Sequence, residues 1–155
     1  MHITVVAVGK LRPWYQEAAN TYLKRLRGYW NVAVIEVKEA STSSTEAMQR
    51  LEEAKRIAKV LPRNAFTVAL AREGPALTSR AVSQEIVRWG SGGRALALVI
   101  GGSVGLERKL LLEADARWSL GPLTLPHQLA RVIVVEQLYR AATMQQGHPY
   151  HKGAP

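Results

Sequence analysis

The side chains with the widest chemical range lie near the end of the sequence. Residues 147–155 read GHPYHKGAP and hold His148 and His151, two of the four histidines, beside Tyr150 and Lys152. Two imidazoles three apart suggest metal ligation. No carboxylate lies nearby, however, and Pro149 breaks any helix that would align them, so no metal is expected. Imidazole, phenol and ammonium together suit RNA better, through stacking and phosphate contact. A frayed terminus is the plainer alternative. Further up, Glu136 and Arg140 are four apart and can pair on one helical face. Structural ion pairs of this kind are the commoner case.

A second group of residues does its chemistry through backbone. Residues 118–139 read WSLGPLTLPHQLARVIVVEQLY. A Gly121-Pro122 turn followed closely by Pro126 is neither regular strand nor helix. Backbone donors and acceptors between those prolines must find partners elsewhere, and a bound ligand would supply them. An ordinary strand-to-helix loop is the alternative. Upstream, Gly101 and Gly102 come directly after the apolar run ALALVI, and Gly105 follows Ser103 and Val104. GGSVG has the wrong spacing for a dinucleotide-binding fingerprint, lacks the acidic residue expected downstream, and is no phosphate-binding P-loop. These glycines either make a tight turn or let a ligand approach the backbone, and both readings stand.

The elements that would position these groups alternate along the chain. Residues 2–8 read as a strand ended by Gly9. Pro13 opens a helix whose stripe is Tyr15, Ala18, Tyr22, Leu26 and Tyr29, with Lys24, Arg25 and Arg27 off the stripe as a solvated or phosphate-facing patch. Residues 32–37 form the next strand. After the polar loop 39–45, Ser43 and Glu46 have capping-box spacing. The helix they start shows Met48, Leu51, Ala54, Ala58 and Leu61 on its apolar face and ends at Pro62 and Asn64. Residues 65–70 are a third strand, followed by the loop AREGPA. A helix over 78–89 buries Val82, Ile86 and Trp89. The run 95–100 suits a central parallel strand covered on both faces. A short helix over 107–114 and a strand over 117–120 complete the series. From 129 to 144 apolar residues nearly surround a helix axis, which predicts burial on more than one side and so a second copy of the chain. RVIVV within it also fits a strand.

Five such alternations predict an α/β domain with a mainly parallel sheet flanked by helices. Ligands of such sheets sit at the carboxyl ends of the strands, here the loops after Leu70, Ile100 and Leu120. At 155 residues, with 47% hydrophobic and 21% charged content, the chain reads as one domain spanning 1–155. Without cysteine it has no disulfide framework, thiolate metal site or cysteine nucleophile. No run approaches the ~20 apolar residues of a membrane span. The start MHITVVAVGKLRPW lacks the pattern of a signal peptide, so the expected location is cytoplasmic. A net charge of +9 points to a polyanionic partner, nucleic acid first.

Four segments carry a family resemblance: ITVVAVGK at the start, IGGSVGL, SLGPLTLPHQLARVIVVEQLYRA and the tail HPYHK. Together they resemble the ribosomal large-subunit methyltransferase H family, small bacterial members of the SPOUT superfamily of S-adenosylmethionine-dependent RNA methyltransferases. The resemblance implies a C-terminal trefoil knot, which composition and spacing do not show and topology rules disfavour. It implies a homodimer that methylates N3 of a pseudouridine in 23S rRNA on the assembled 70S ribosome. It assigns S-adenosylmethionine to Leu70, Gly101, Gly102, Leu120, Gly121, Pro122, Leu123, Thr124 and Leu125. Where the family often has an acidic residue after the position of Leu70, this chain has Ala71.

Methyl transfer from a sulfonium mainly requires alignment, while the N3 proton must also leave. His127, Glu136, His148 and His151 are candidate bases by residue type. The tail of one subunit is expected to close over the cofactor of the other, with Arg131, Arg140, Tyr150 and His151 placing the base and its phosphates. Glu136, Arg140, Tyr150 and His151 are the expected catalytic group, and His127, Arg131, His148 and Lys152 the expected substrate contacts. The alternatives are a SPOUT enzyme acting on another rRNA or tRNA base, a non-catalytic RNA-binding protein, and a small-molecule enzyme.

Overall fold

The computed structural model describes residues 1–153 and 155. Five strands, β1 (His2–Val8), β2 (Asn31–Val37), β3 (Phe66–Leu70), β4 (Leu96–Ile100) and β5 (Ala116–Trp118), form one sheet in the order β2-β1-β4-β3-β5. Every pairing is parallel. Between the strands run α1 (Pro13–Leu26), α2 (Glu46–Val60), α3 (Ser79–Gly90) and α4 (Arg108–Glu113). After β5 comes α5 (His127–Gln145), and the chain closes with a 3-10 turn, Pro149–His151.

The two-residue period of the strands sorts the core into two layers. Ile3, Val5 and Ala7 of β1 and Leu96, Leu98 and Ile100 of β4 face a cluster with Leu26, Val82, Ile86, Trp89, Val134 and Leu138. Val6, Val8 and Val99 face the other way, onto Val37, Ile57 and partly buried Leu106 and Leu110. Thus α1, α3 and α5 cover one face and α2 and α4 the other. β4 is buried along its whole length, as an uninterrupted apolar run in a central parallel strand should be. Each large aliphatic side chain so enclosed stabilises the fold by about 1.5–3 kcal/mol.

α5 packs on α1, α3 and the sheet, so much of its all-round apolar surface is covered within one chain. RVIVV is helix: it lies inside α5, whose main contacts are with the helices α1 and α3. β5 is shorter than expected: it ends at Trp118, and Leu120 falls in the following loop.

Two expectations for α2 are corrected. Its cap is Thr45, whose side chain accepts from Met48 N at 3.2 Å, whereas Ser43 bonds Ser41. Its buried stripe is Gln49, Glu53 and Ile57, while Met48 and Leu51 are 53% and 43% exposed. The unpaired backbone of the preceding loop decides this. Gln49 Nε2 donates to Ser44 O at 2.8 Å, Glu53 Oε1 accepts from Ala40 N at 3.1 Å, and Arg56 donates to the carbonyls of Lys38 and Glu39, both at 2.8 Å. Satisfying those groups turns polar residues inward at the expense of the apolar stripe.

Candidate functional site

Three loops leave the carboxyl ends of β3, β4 and β5 and enclose an open cavity of about 1110 Å³. Leu70, Gly101, Gly102, Leu120, Gly121, Leu123, Thr124 and Leu125 line it; Pro122 does not. The loops are tied together at their bases. Ala71 N donates to Trp118 O at 2.9 Å, and Ser119 N donates to Pro75 O at 2.9 Å. Arg72 Nη2 donates to Thr124 Oγ1 at 2.8 Å, joining the first loop to the third across the cavity.

The third loop is irregular for a local reason. Gly121 has φ +114°, a conformation glycine adopts freely, and its N–H donates to Ser119 Oγ, 3.2 Å away. Beyond it, among the described residues, no hydrogen bond uses the N–H groups of Leu123, Thr124 and Leu125. The loop therefore offers three free backbone donors among leucines. The second loop is packed against itself. A Cβ on Gly101 would lie 2.8 Å from the carbonyl carbon of Gly105, and one on Gly102 would lie 2.9 Å from Val8 Cγ1. Of the two readings of these glycines, the tight turn is sufficient.

Beneath Gly102 sits Glu53, 4% exposed. Its Oε2 has no hydrogen-bond partner and is 3.5 Å from where a Gly102 Cβ would stand. Burial pushes its carboxyl above the usual range, against the Ala40 N–H, and neighbouring Glu39 adds to the rise. His127 lines the cavity at the start of α5, with Nε2 3.3 Å from Glu39 Oε1 but without hydrogen-bond geometry.

Arg131, expected to touch substrate, is 2% exposed. Its guanidinium pairs with Glu36 and donates to Gly9 O at 2.7 Å and Val8 O at 3.1 Å. It pins α5 to the ends of β1 and β2, and a cation enclosed this way reaches no phosphate.

The tail folds back on its own α5. Tyr150 OH donates to Glu136 Oε1 at 3.0 Å, and the same oxygen accepts from Arg140 Nη2 at 2.8 Å and Nε at 3.1 Å. Gln137 Nε2 holds the other oxygen at 2.7 Å. The Arg140 guanidinium lies 4.8 Å over the Tyr150 ring, which packs 4.7 Å from Tyr139. Burial, then the phenol of Tyr22 and the carboxylate of Glu136, raise the Tyr150 phenol well above its ordinary value. It is a hydrogen-bond donor at neutral pH. His148 is exposed, its Nδ1 accepting from Tyr150 N at 3.2 Å; His151 is half-buried and Lys152 exposed. Glu136, Arg140, Tyr150 and His151 thus form or adjoin one cluster, but none of them, nor His148 or Lys152, lines the cavity of the same chain. Among the described residues no three His, Asp or Glu side chains come together to hold a metal ion.

Sequence reasoning missed several cavity residues. Arg72 and Glu73 lie in the AREGPA loop and were within reach of the strand-end rule. Glu46 and Arg50 arrive from α2, and Arg108 and Arg117 from around α4 and β5, with no local signal.

Residues 1–151 match the family described as "Predicted SPOUT methyltransferase". The chain therefore belongs to the SPOUT methyltransferases. It is 40% identical, over 98% of this chain and 99% of the relative, to the ribosomal RNA large subunit methyltransferase H of Xanthomonas oryzae pv. oryzae (strain PXO99A). It is 46% identical, over 96% of each chain, to the protein of the same name from Rubrobacter xylanophilus. Within the SPOUT class, it is thus a member of the methyltransferase H family. Among solved structures, a probable methylase family protein from Haemophilus influenzae Rd KW20 superposes with TM-score 0.57 at 18% identity, covering 99% of this chain and 71% of that one. A probable methyltransferase from Bordetella pertussis Tohama I gives 0.55 at 15%, covering 91% and 94%. At those identities the likeness speaks for the fold alone. Family membership implies that the C-terminal part of the chain is threaded as a trefoil knot.

Proposed function

We propose that this chain transfers a methyl group from S-adenosylmethionine to N3 of a pseudouridine in 23S rRNA, on the assembled 70S ribosome, as a cytoplasmic homodimer. The carrying observation is the stretch 123–125, with three free backbone N–H groups on a leucine-rich wall at the strand ends. An adenine has a polar edge and two apolar faces, and such a wall suits both. When bound, S-adenosylmethionine supplies an electrophilic methyl group on a sulfonium. Leu70, Leu120 and Leu125 would hold the adenine, above the packed Gly101–Gly102 turn. RNA as the substrate class is supported by the printed name of the full-length relatives and by the net charge of +9.

The protein's part in the chemistry is alignment and removal of a proton. Of the four candidate bases, His127 is the one that lines this chain's own cavity, with Glu39 beside its Nε2, and it takes the N3 proton in this reading. Tyr150 stays protonated and presents a donor. Glu136 holds Arg140 and Tyr150 in one geometry, leaving the guanidinium to meet RNA. These groups do not line their own chain's cavity, which supports a dimer in which a second copy brings them to it. Exposed apolar Leu123 (75%) at the cavity and Trp14 (59%) offer surface for that copy.

The test is tritium transfer from labelled S-adenosylmethionine to 70S ribosomes, separated subunits and protein-free rRNA from cells lacking this protein. Labelling of 70S particles, lost when pseudouridine formation is blocked, is the expected result. Cofactor binding without labelling of any RNA would point to another substrate, and absent cofactor binding would sink the enzyme reading.

A further inference from the structure

The end of α1 and the start of β2 form a second, smaller cavity of about 660 Å³. Lys24, Arg27, Gly28, Tyr29 and Trp30 line it, together with Asn20 and no acidic residue. We propose that this groove is a second RNA-binding subsite, taking a looped or unpaired strand with its phosphates on Lys24 and Arg27 and a base against Trp30. The inference rests on rRNA being the substrate.

The plain alternative is that these cations only complement the carbonyl end of α1. The local hydrogen bonds argue otherwise. Tyr29 N and Trp30 N both donate to Leu26 O, at 2.8 and 2.9 Å, so the last carbonyl of the helix is met by backbone and needs no cation. Among the described residues, neither Lys24 nor Arg27 has a carboxylate in ion-pair distance, whereas Arg50, Arg88, Arg94, Arg131 and Arg140 all do. Two unpaired cations in a concave site without acids attract a polyanion. Trp30 is half-buried and packs on the core with part of its surface free, which is a stacking platform for a base. Nothing lies within 4 Å of where a Gly28 Cβ would be, so the wall stays open there. The aromatic surface continues towards the tail, since Tyr29 lies 6.1 Å from Tyr139, and Tyr139 lies 4.7 Å from Tyr150.

Position gives the subsite its role. Asn31 opens β2 and pairs with His2, at the amino ends of the strands, while the large cavity lies at their carboxyl ends. A seven-residue strand separates those levels by roughly 20 Å, about six base-pair steps of a nucleic-acid helix. The subsite is thus remote from its own chain's cavity and lies on the side of the tail, beside the ring surface of Tyr139 and Tyr150, where it anchors the strand that the tail meets without touching the reacting atoms.

The experiment compares wild type with the double variant Lys24→Gln/Arg27→Gln, and with Trp30→Phe and Trp30→Ala. It measures binding to 70S ribosomes and to protein-free 23S rRNA across salt concentrations, with methyl transfer in parallel. The double variant should bind both RNAs roughly tenfold more weakly, with the slope of log affinity against log salt reduced by about 1.5. Its KM should rise with kcat held, and S-adenosylmethionine binding by calorimetry should not change. Trp30→Ala should weaken binding, and Trp30→Phe, which keeps a ring in the core, should weaken it less. Unchanged affinity and salt slope in the double variant, with wild type binding normally, would overturn the subsite. Loss confined to ribosomes, with protein-free rRNA bound as before, would overturn it in favour of a protein partner. A wild type that binds no 70S ribosomes would instead defeat the functional reading beneath it.

Discussion

The large cavity and the tail cluster are built from opposite materials. The strand-end loops of the cavity contribute mainly backbone: Gly101 and Gly102, which admit no side chain, and unspent N–H groups among leucines. The tail is made of side chains, with one carboxylate, Glu136, holding Arg140, Tyr150 and Gln137 at once. Backbone donors suit a ligand that is the same at every turnover, because their positions are set by the fold. A charged cluster on a terminal segment suits a large, variable surface such as RNA. Arg131 links the two, one turn into the helix that begins at the cavity and ends at the tail.

That link makes the largest prediction. Arg131→Ala leaves Glu36 without its cation and frees the carbonyls of Val8 and Gly9, so it should cost about 3–5 kcal/mol of stability. Denaturant melts would show it, and cofactor affinity and methylation should fall together. A variant that keeps its stability would mean the two regions are independent.

Next comes the tail alone. Tyr150→Phe removes the donor to Glu136 and should lower methyl transfer by roughly a hundredfold while S-adenosylmethionine affinity changes little. Equal loss of both, measured by single-turnover kinetics and calorimetry, would break the division of labour.

The complementary test strikes the cavity. Gly121→Val forces a branched residue into φ +114°, and strain of about 1–3 kcal/mol should weaken cofactor binding roughly five- to a hundredfold. Ribosome binding by the tail should persist, as a co-sedimentation assay without cofactor would read out.

The smallest effect concerns the floor. Burial favours the protonated form of Glu53, so its contribution to stability is full at acid pH and lost as pH rises through its raised pKa. Glu53→Gln keeps an acceptor for Ala40 N and escapes that loss. It should be about 1 kcal/mol more stable than wild type at pH 8 and close to it near pH 4, by thermal melts at both values. A variant weaker at pH 8 would mean that the carboxylate is held charged by its neighbours.

Much of this was legible in the chain. The β-branched run at 2–8 and the unbroken apolar run at 95–100 announce parallel strands, since buried parallel strands need apolar residues on both faces. Gly-Pro and Gly-Gly punctuation at the ends of such runs marks the cavity loops, because irregular backbone there follows from local sterics. The α2 stripe was not legible: Gln49 and Glu53 turned inward to satisfy a loop that precedes the helix, and periodicity counts only apolar residues. Nor was the fate of Arg131, whose partners Glu36, Val8 and Gly9 lie more than ninety positions away.

The sequence by itself determined which segments are strands, which are helices, and which loops cannot be either, RVIVV excepted, because those choices rest on the residue's own sterics and its near neighbours. Only the tertiary structure decided which charges are spent inside and which remain for a partner. Arg131 and Lys24 look alike in a list of cations. The fold buries one on a carboxylate and leaves the other facing an open groove, because a charge goes in only where a distant chain segment supplies its counter-charge and acceptors.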